Sequence, residues 1–151
     1  MSILLSDIFN PQSIKLGLEG KTKKEVFAEL TGIIAAAHPG CGQAPLLEAL
    51  WEREHKLSTG IAPGIAIPHA FCGGIEGIGG ALGVSQEGIE YDALDSEPVY
   101  VVFMLAIGEP AKEHHLRVLN QIFALTQSEA LEMIRNAKSP QDVQAILSRF
   151  R

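Results

Sequence analysis

At 151 residues the chain has the size of one domain with a buried core, and 46% hydrophobic against 20% charged residues marks it as globular rather than disordered. Its net charge of −6, with lysines and arginines scattered among more numerous acids, argues against nucleic acid or an anionic membrane surface as partner. No apolar run is long enough to span a membrane, MSILLSDIFNPQ lacks the basic and apolar regions of a signal peptide, and two cysteines without a CxxC suit a reducing cytosol rather than a disulfide framework, so a cytoplasmic protein is expected.

In chain order, Ile14, Leu16 and Leu18 alternate with polar or small residues and predict a half-buried strand ending at Gly20. TKKE at 22–25 reads as a capping box, with Thr22 as N-cap and Glu25 reaching back. Val26, Phe27, Leu30, Ile33, Ile34 and Ala37 then repeat at helical spacing until Pro39-Gly40 stops the helix. Pro45 suits the first turn of a second helix whose apolar side is Leu46, Leu47, Leu50 and Trp51, ending near Lys56. LSTGIAPG reads as a loop, Gly64 to Ile67 as a short strand closed by Pro68, and the glycine-rich stretch 72–80 as a turn or mobile loop. Ala81 to Ser85 and Ile89 to Tyr91 are candidate strands. VYVVFMLAI at 99–107, dense in β-branched and aromatic residues, predicts a central strand buried on both faces. Leu116, Leu119, Ile122 and Phe123 mark a third helix, with Glu113, His114 and His115 in its first turn. Two short helices finish the chain, the last opened by Ser139-Pro140 and repeating Val143, Ile146, Leu147 and Phe150. The order predicts a single α/β domain over 1–151, a mixed sheet of about five strands flanked by helices on both faces.

The candidate chemistry centres on His69, at the end of the stiff segment GIAPGIAIPHA. If strand pairing ran through, the ring would share the face of Ile65 and Ile67 as a hydrogen-bonded core histidine. Pro68, which lacks a ladder donor, argues instead for a strand end and a histidine at the rim of the sheet, where α/β sheets carry their sites. Both readings stand on residue type. His114 and His115 point about 100° apart on a helix, so only one faces a site, and His115, next to Leu116, is the better candidate. A first-turn histidine there would sit among free N–H groups suited to an anion. Arg53 offers a planar fork to a phosphate or, alternatively, a surface partner to a nearby glutamate. Glu52–His55 has an ExxH spacing with no second unit. A zinc site from His69, His115 and Cys72, or a Cys72–His69 thiol dyad, has no supporting motif. GIAPG lacks the GK[ST] of a phosphate-binding P-loop.

Taken together, REHKLSTGIAPGIAIPHA resembles the signature of the fructose/mannitol-type enzyme IIA domains of the bacterial phosphoenolpyruvate-dependent phosphotransferase system. Arg53-Glu54 and STGIAPGIAIPH follow the family pattern, with Ala62-Pro63 replacing its usual glycine and following residue and stiffening the loop. GIEYDALDSEPVYVVFMLAI and EHHLRVLNQIFAL resemble two further family stretches, and KKEVFAEL and SPQDVQAIL extend the likeness over nearly the whole chain. The resemblance implies a phosphoryl-transfer protein. It implies that His69 accepts the phosphoryl group, on Nε2, that His115 is a second active-centre histidine, and that Arg53 helps hold the phosphate. Ser58 and Thr59 match the motif as suppliers of hydroxyls or shapers of the loop. The scheme requires no cofactor and no metal. The donor it implies is a phosphocarrier protein (HPr or its nitrogen-branch paralogue), and the acceptor an enzyme IIB. MSILLSDIF and the absence of fused domains lean toward the nitrogen-regulatory subgroup, whose partners are regulatory target proteins. A sugar-specific enzyme IIA is the alternative within the family, and a histidine-rich metal-binding protein the alternative outside it.

Overall fold

The computed structural model describes residues 3–61 and 63–149. A five-stranded mixed sheet lies between two helical layers. In chain order the elements are α1 (Leu5–Ile8), β1 (Ile14–Lys15), α2 (Lys23–Ala37), α3 (Gln43–Lys56), β2 (Ile65–Ala66), β3 (His69–Phe71), β4 (Ile78–Ile89), β5 (Val99–Ile107), α4 (His115–Leu125), α5 (Ala130–Arg135) and α6 (Pro140–Leu147). Strand β4 pairs with β1 in parallel and with β5 antiparallel, and β5 pairs in parallel with both β2 and β3.

Strand β5 is interior, as its composition predicts. Val101, Phe103, Leu105 and Ile107 pack into the layer of α1, α4, α5 and α6, while Val102, Met104 and Ala106 pack under α2 and α3. Thr22 caps α2 by accepting from the Glu25 N–H at 3.2 Å, and Glu25 reaches back to the Lys21 N–H. Ser139 caps α6 in the same way through the Asp142 N–H. Phe150, which the helical repeat includes, lies outside the described residues, as do Met1, Ser2 and Ala62.

Five sequence expectations change. The first strand is only Ile14–Lys15; beyond it the Leu18 N–H still donates to the Val84 carbonyl, and the Leu18 side chain covers Gly83. Helix α1, with buried Leu5 and Ile8, has no counterpart in the sequence reading, since four residues hold too few turns to show a period. The glycine-rich stretch is not all loop, and Ala81–Ser85 and Ile89–Tyr91 are not two strands. Residues 78–89 form one strand with an irregularity between Val84 and Ile89. Gly79 and Gly80 sit there because side chains press on the sheet: a Cβ on Gly79 would meet His38 at 2.8 Å, and one on Gly80 would meet Phe9 at 2.7 Å. The start of the third helix is also different. Glu109–His114 forms a 3-10 turn, so α4 continues it from His115.

The fifth change is covalent. Cys41 and Cys72 form a disulfide, with Cα atoms 6.4 Å apart and a sequence separation of 31. Counting cysteines and their spacing reveals no such pair, because only the tertiary fold brings them together. Cys41 follows the end of α2, Cys72 follows β3, and the backbones of Gly40 and Gly74 touch so closely that neither has room for a Cβ.

Candidate functional site

The site lies along the edge strand formed by β2 and β3. Ile65 pairs with Val101 and His69 with Leu105, so the register is the same on both sides of Pro68. His69 therefore does not lie past the end of a strand. The strand resumes at His69, and the proline is tolerated because the edge demands no ladder donor from it; its carbonyl still accepts the Leu105 N–H at 2.9 Å. The strand is set by the hairpin before it. The Ile61 N–H donates to Ile65, and the Ile67 N–H donates to Thr59, each at 3.0 Å. Gly64 makes the turn at φ 76°, a conformation open to glycine.

His69 is half-buried. Its Nδ1 lies 2.8 Å from the Ile67 carbonyl oxygen. A carbonyl only accepts, so Nδ1 carries the proton and the Nε2 lone pair is free. Burial is the main influence lowering the imidazole pKa below its ordinary value; the Ile67 hydrogen bond opposes it, and Arg53 and His115 reinforce it. The ring is thus held neutral and nucleophilic near pH 7.

A depression of about 350 Å³ is lined by His69, Arg53, Lys56, Phe71 and His115 among others. His115 comes from the first residue of α4, Arg53 and Lys56 from the last turn of α3. His115 Nδ1 donates to the Lys112 carbonyl at 2.6 Å, and its ring meets Phe71 edge-on at 5.3 Å. The backbone N–H of His115 is bonded to the same carbonyl, so the expected free helix N-terminus is not available at this residue. His114 lines a different groove with Ile3, Asp7 and Glu76. Arg53 donates to the Leu57 carbonyl at 2.7 Å, capping α3, and among the described residues it has no carboxylate partner. Its remaining N–H donors are available to an anion.

Of the other candidates, Thr59 lines a second, smaller depression with Arg53, His69 and Phe123, and the rest part from the site. Ser58 accepts the Gly60 N–H at 3.1 Å, a local turn. Thr59 is 3% exposed, and its hydroxyl donates to Glu54 at 2.6 Å, so it shapes the loop from within. Cys72 is bonded to Cys41, which removes it as a zinc ligand or thiol nucleophile. Among the described residues no three His, Cys, Asp or Glu side chains gather into a metal-sized cluster, and Glu52 and His55 both lie exposed on α3. Sequence reasoning gave no separate part to Glu54, Lys23 and Tyr91. Glu54 and Tyr91 bond Thr59 inside the protein, and Lys23 reaches the same Glu54 from the start of α2; in sequence all three lie in stretches that resemble the family, without a signal of this contact.

The sequence model of the family described as "Phosphoenolpyruvate-dependent sugar phosphotransferase system, EIIA 2" matches residues 7–150. The chain belongs to this family. As an EIIA protein it is a phosphotransferase component. It is 32% identical over 146 residues to the nitrogen regulatory protein of Pseudomonas aeruginosa, covering 96% of this chain and 95% of that one. It is 34% identical over 127 residues to the fructose-specific EIIABC component of Bacillus subtilis, and that match covers 84% of this EIIA chain but spans only 20% of the relative's length. The crystal structure of nitrogen regulatory protein IIA-Ntr from Neisseria meningitidis superposes with a TM-score of 0.88 at 30% identity, over 95% of this chain and 98% of that one. The α/β sandwich expected from the sequence is thus the fold of EIIA relatives. No helix among the described residues is long and apolar enough to cross a membrane.

Proposed function

We propose that His69 is the phosphoryl acceptor and that the protein acts as a regulatory phosphoprotein charged by an HPr-like phosphocarrier. The observation that carries this is the Nδ1–H···O=C bond to Ile67 beside a depression lined by Arg53, Lys56 and His115. In the forward step the Nε2 lone pair attacks phosphorus and the donor's P–N bond breaks, its electron pair returning to the donor imidazole. A new Nε2–P bond forms, and the ring becomes positively charged. The Nδ1–H against the Ile67 carbonyl stabilises that charge. Arg53 and Lys56 supply fixed positive charge to the equatorial oxygens, which is most of what phosphoryl transfer asks of a protein. His115, once protonated, adds an Nε2–H donor. Transfer outward is the same step reversed, onto an acceptor.

The regulatory reading rests on the near full-length likeness to nitrogen regulatory proteins. The second reading, a sugar-specific EIIA that passes the group to a IIB, is favoured by the identity to a fructose-specific component. One reconstitution separates them. The protein is mixed with phosphoenolpyruvate, enzyme I and either the general or the nitrogen-branch carrier, and a fructose-type IIB is then added. The regulatory reading predicts labelling of the EIIA protein and no productive passage to IIB; rapid passage to IIB replaces it with the sugar reading.

A further inference from the structure

Thr59 is one end of a chain of contacts that reaches the His69 ring, and Glu54 holds that end. Glu54 is 6% exposed, at the end of α3. Its Oε2 accepts the Thr59 N–H at 3.0 Å and the Lys23 ammonium at 2.9 Å, and its Oε1 accepts the Thr59 hydroxyl at 2.6 Å. Because that hydroxyl proton is spent on Glu54, the Tyr91 hydroxyl donates to Thr59 Oγ1, at 2.7 Å. Lys23 stands 4.5 Å over the Tyr91 ring, so the α2 start is tied to the Glu54 and Tyr91 side chains that hold Thr59 of the hairpin. Gly60 closes the contact, since a Cβ there would meet Ala93 at 2.7 Å and Tyr91 at 2.8 Å. The Thr59 carbonyl then accepts the Ile67 N–H, and the Ile67 carbonyl accepts His69 Nδ1–H.

We propose that Glu54 is a positioning residue: by clamping Thr59 it fixes the Ile67 carbonyl, and so holds the His69 proton on Nδ1 and leaves Nε2 free. The proposal rests on the phosphoryl-acceptor reading of His69 for its consequence, but the tautomer can be read without any phosphoryl donor. A neutral histidine side chain in water favours the proton on Nε2, the nitrogen that must attack. Losing the clamp therefore converts an active tautomer into a blocked one. A role confined to stability would leave the tautomer of the folded protein unchanged.

The test is nitrogen-15 NMR of the imidazoles at a pH where His69 is neutral, followed by the rate of His69 phosphorylation with phosphoramidate as a small chemical donor. The variants are Glu54→Gln, and the paired Lys23→Met/Glu54→Leu, which removes both charges together and so avoids stranding a lone buried charge. Thr59→Ser, which keeps the hydroxyl and N–H, is the conservative control. In the wild type and Thr59→Ser, Nδ1 is expected to show as the protonated nitrogen. In the folded Glu54 variants the two nitrogens shift toward the Nε2–H tautomer, and phosphorylation slows by roughly tenfold or more, as displacement of a reacting group does. Folded Glu54 variants with the wild-type nitrogen pattern and the wild-type rate overturn the proposal. A wild type with the expected pattern that takes no phosphate on His69 overturns the functional reading and leaves the clamp standing.

Discussion

The two nitrogens of the His69 ring are bonded differently. Nδ1 is spent on the Ile67 carbonyl and Nε2 is left free. Burial, aided by Arg53 and His115, moves its pKa downward from 6.5. Protonation would consume the lone pair, so the rate of phosphorylation is predicted to persist to lower pH than an unperturbed imidazole would allow, and proton NMR of the ring is predicted to give a midpoint under 6.5. The same shift bears on stability. Between the folded and unfolded values the unfolded chain binds more protons, so this group's contribution is intact above about 6.5 and is lost as pH falls toward the depressed value. A midpoint at or above 6.5 would mean that burial does not outweigh the Ile67 hydrogen bond. His115→Ala is predicted to slow transfer about 10- to 100-fold while leaving His69 open to modification, measured by labelling kinetics. His69 and its proline were legible in the sequence because a stiff X-Pro step ending on a histidine is a local feature. The part of Glu54 was not: beside Arg53 it reads as another helical glutamate, and only burial against Lys23 and Thr59 distinguishes it.

At the level of elements, the edge strand interrupted by Pro68 and the Cys41–Cys72 link decide where the site sits. The link ties the α2–α3 turn to the end of β3, two residues beyond Ala70. Closing a 31-residue separation by a covalent bond restricts the unfolded chain by about 3–4 kcal/mol on the loop-entropy model. Reduction with a dithiol, or Cys41→Ser, is therefore predicted to lower the unfolding free energy by that amount, read as a fall in the denaturant midpoint, and an unchanged midpoint would show that the bond does not constrain the chain. Caps were readable here because a threonine or serine followed three residues later by an acid is a local signal, seen at Thr22 and Ser139. The disulfide and the glycines of β4 were not readable. Gly79 and Gly80 look like turn residues in sequence, whereas their real constraint is the ring of His38 or Phe9 above the sheet.

As a whole, the molecule is a sheet with β5 at its centre and a helical layer on each side. Truncating a residue at that centre should be costly: Phe103→Ala, at 0% exposure, is predicted to destabilise by about 3–5 kcal/mol in denaturant titration. The surface around the site is different in kind. Phe71 is 47% exposed, Leu116 64% and Phe123 48%, and each adjoins His69 or His115 in the depressions or along α4. Leu116→Ser is predicted to slow phosphorylation by a carrier protein about tenfold, with stability and the phosphoramidate rate nearly unchanged. Equal rates with both donors would mean the apolar rim takes no part in docking. The three-layer class was legible from the order and period of the elements, since alternation and helical spacing report burial directly. The pairing of β3 onto β5 was not, because strand partners are chosen across the fold.

On the proposed function, one nitrogen of one residue, Nε2 of His69, carries the phosphoryl group. The most direct measurement is mass spectrometric mapping of the modified residue, under mildly alkaline conditions that preserve phosphohistidine, after charging with phosphoenolpyruvate, enzyme I and carrier. A single acid-labile phosphate is expected on His69 and none in a folded His69→Ala variant. Equal labelling of that variant, or phosphate mapped to His115, would contradict it.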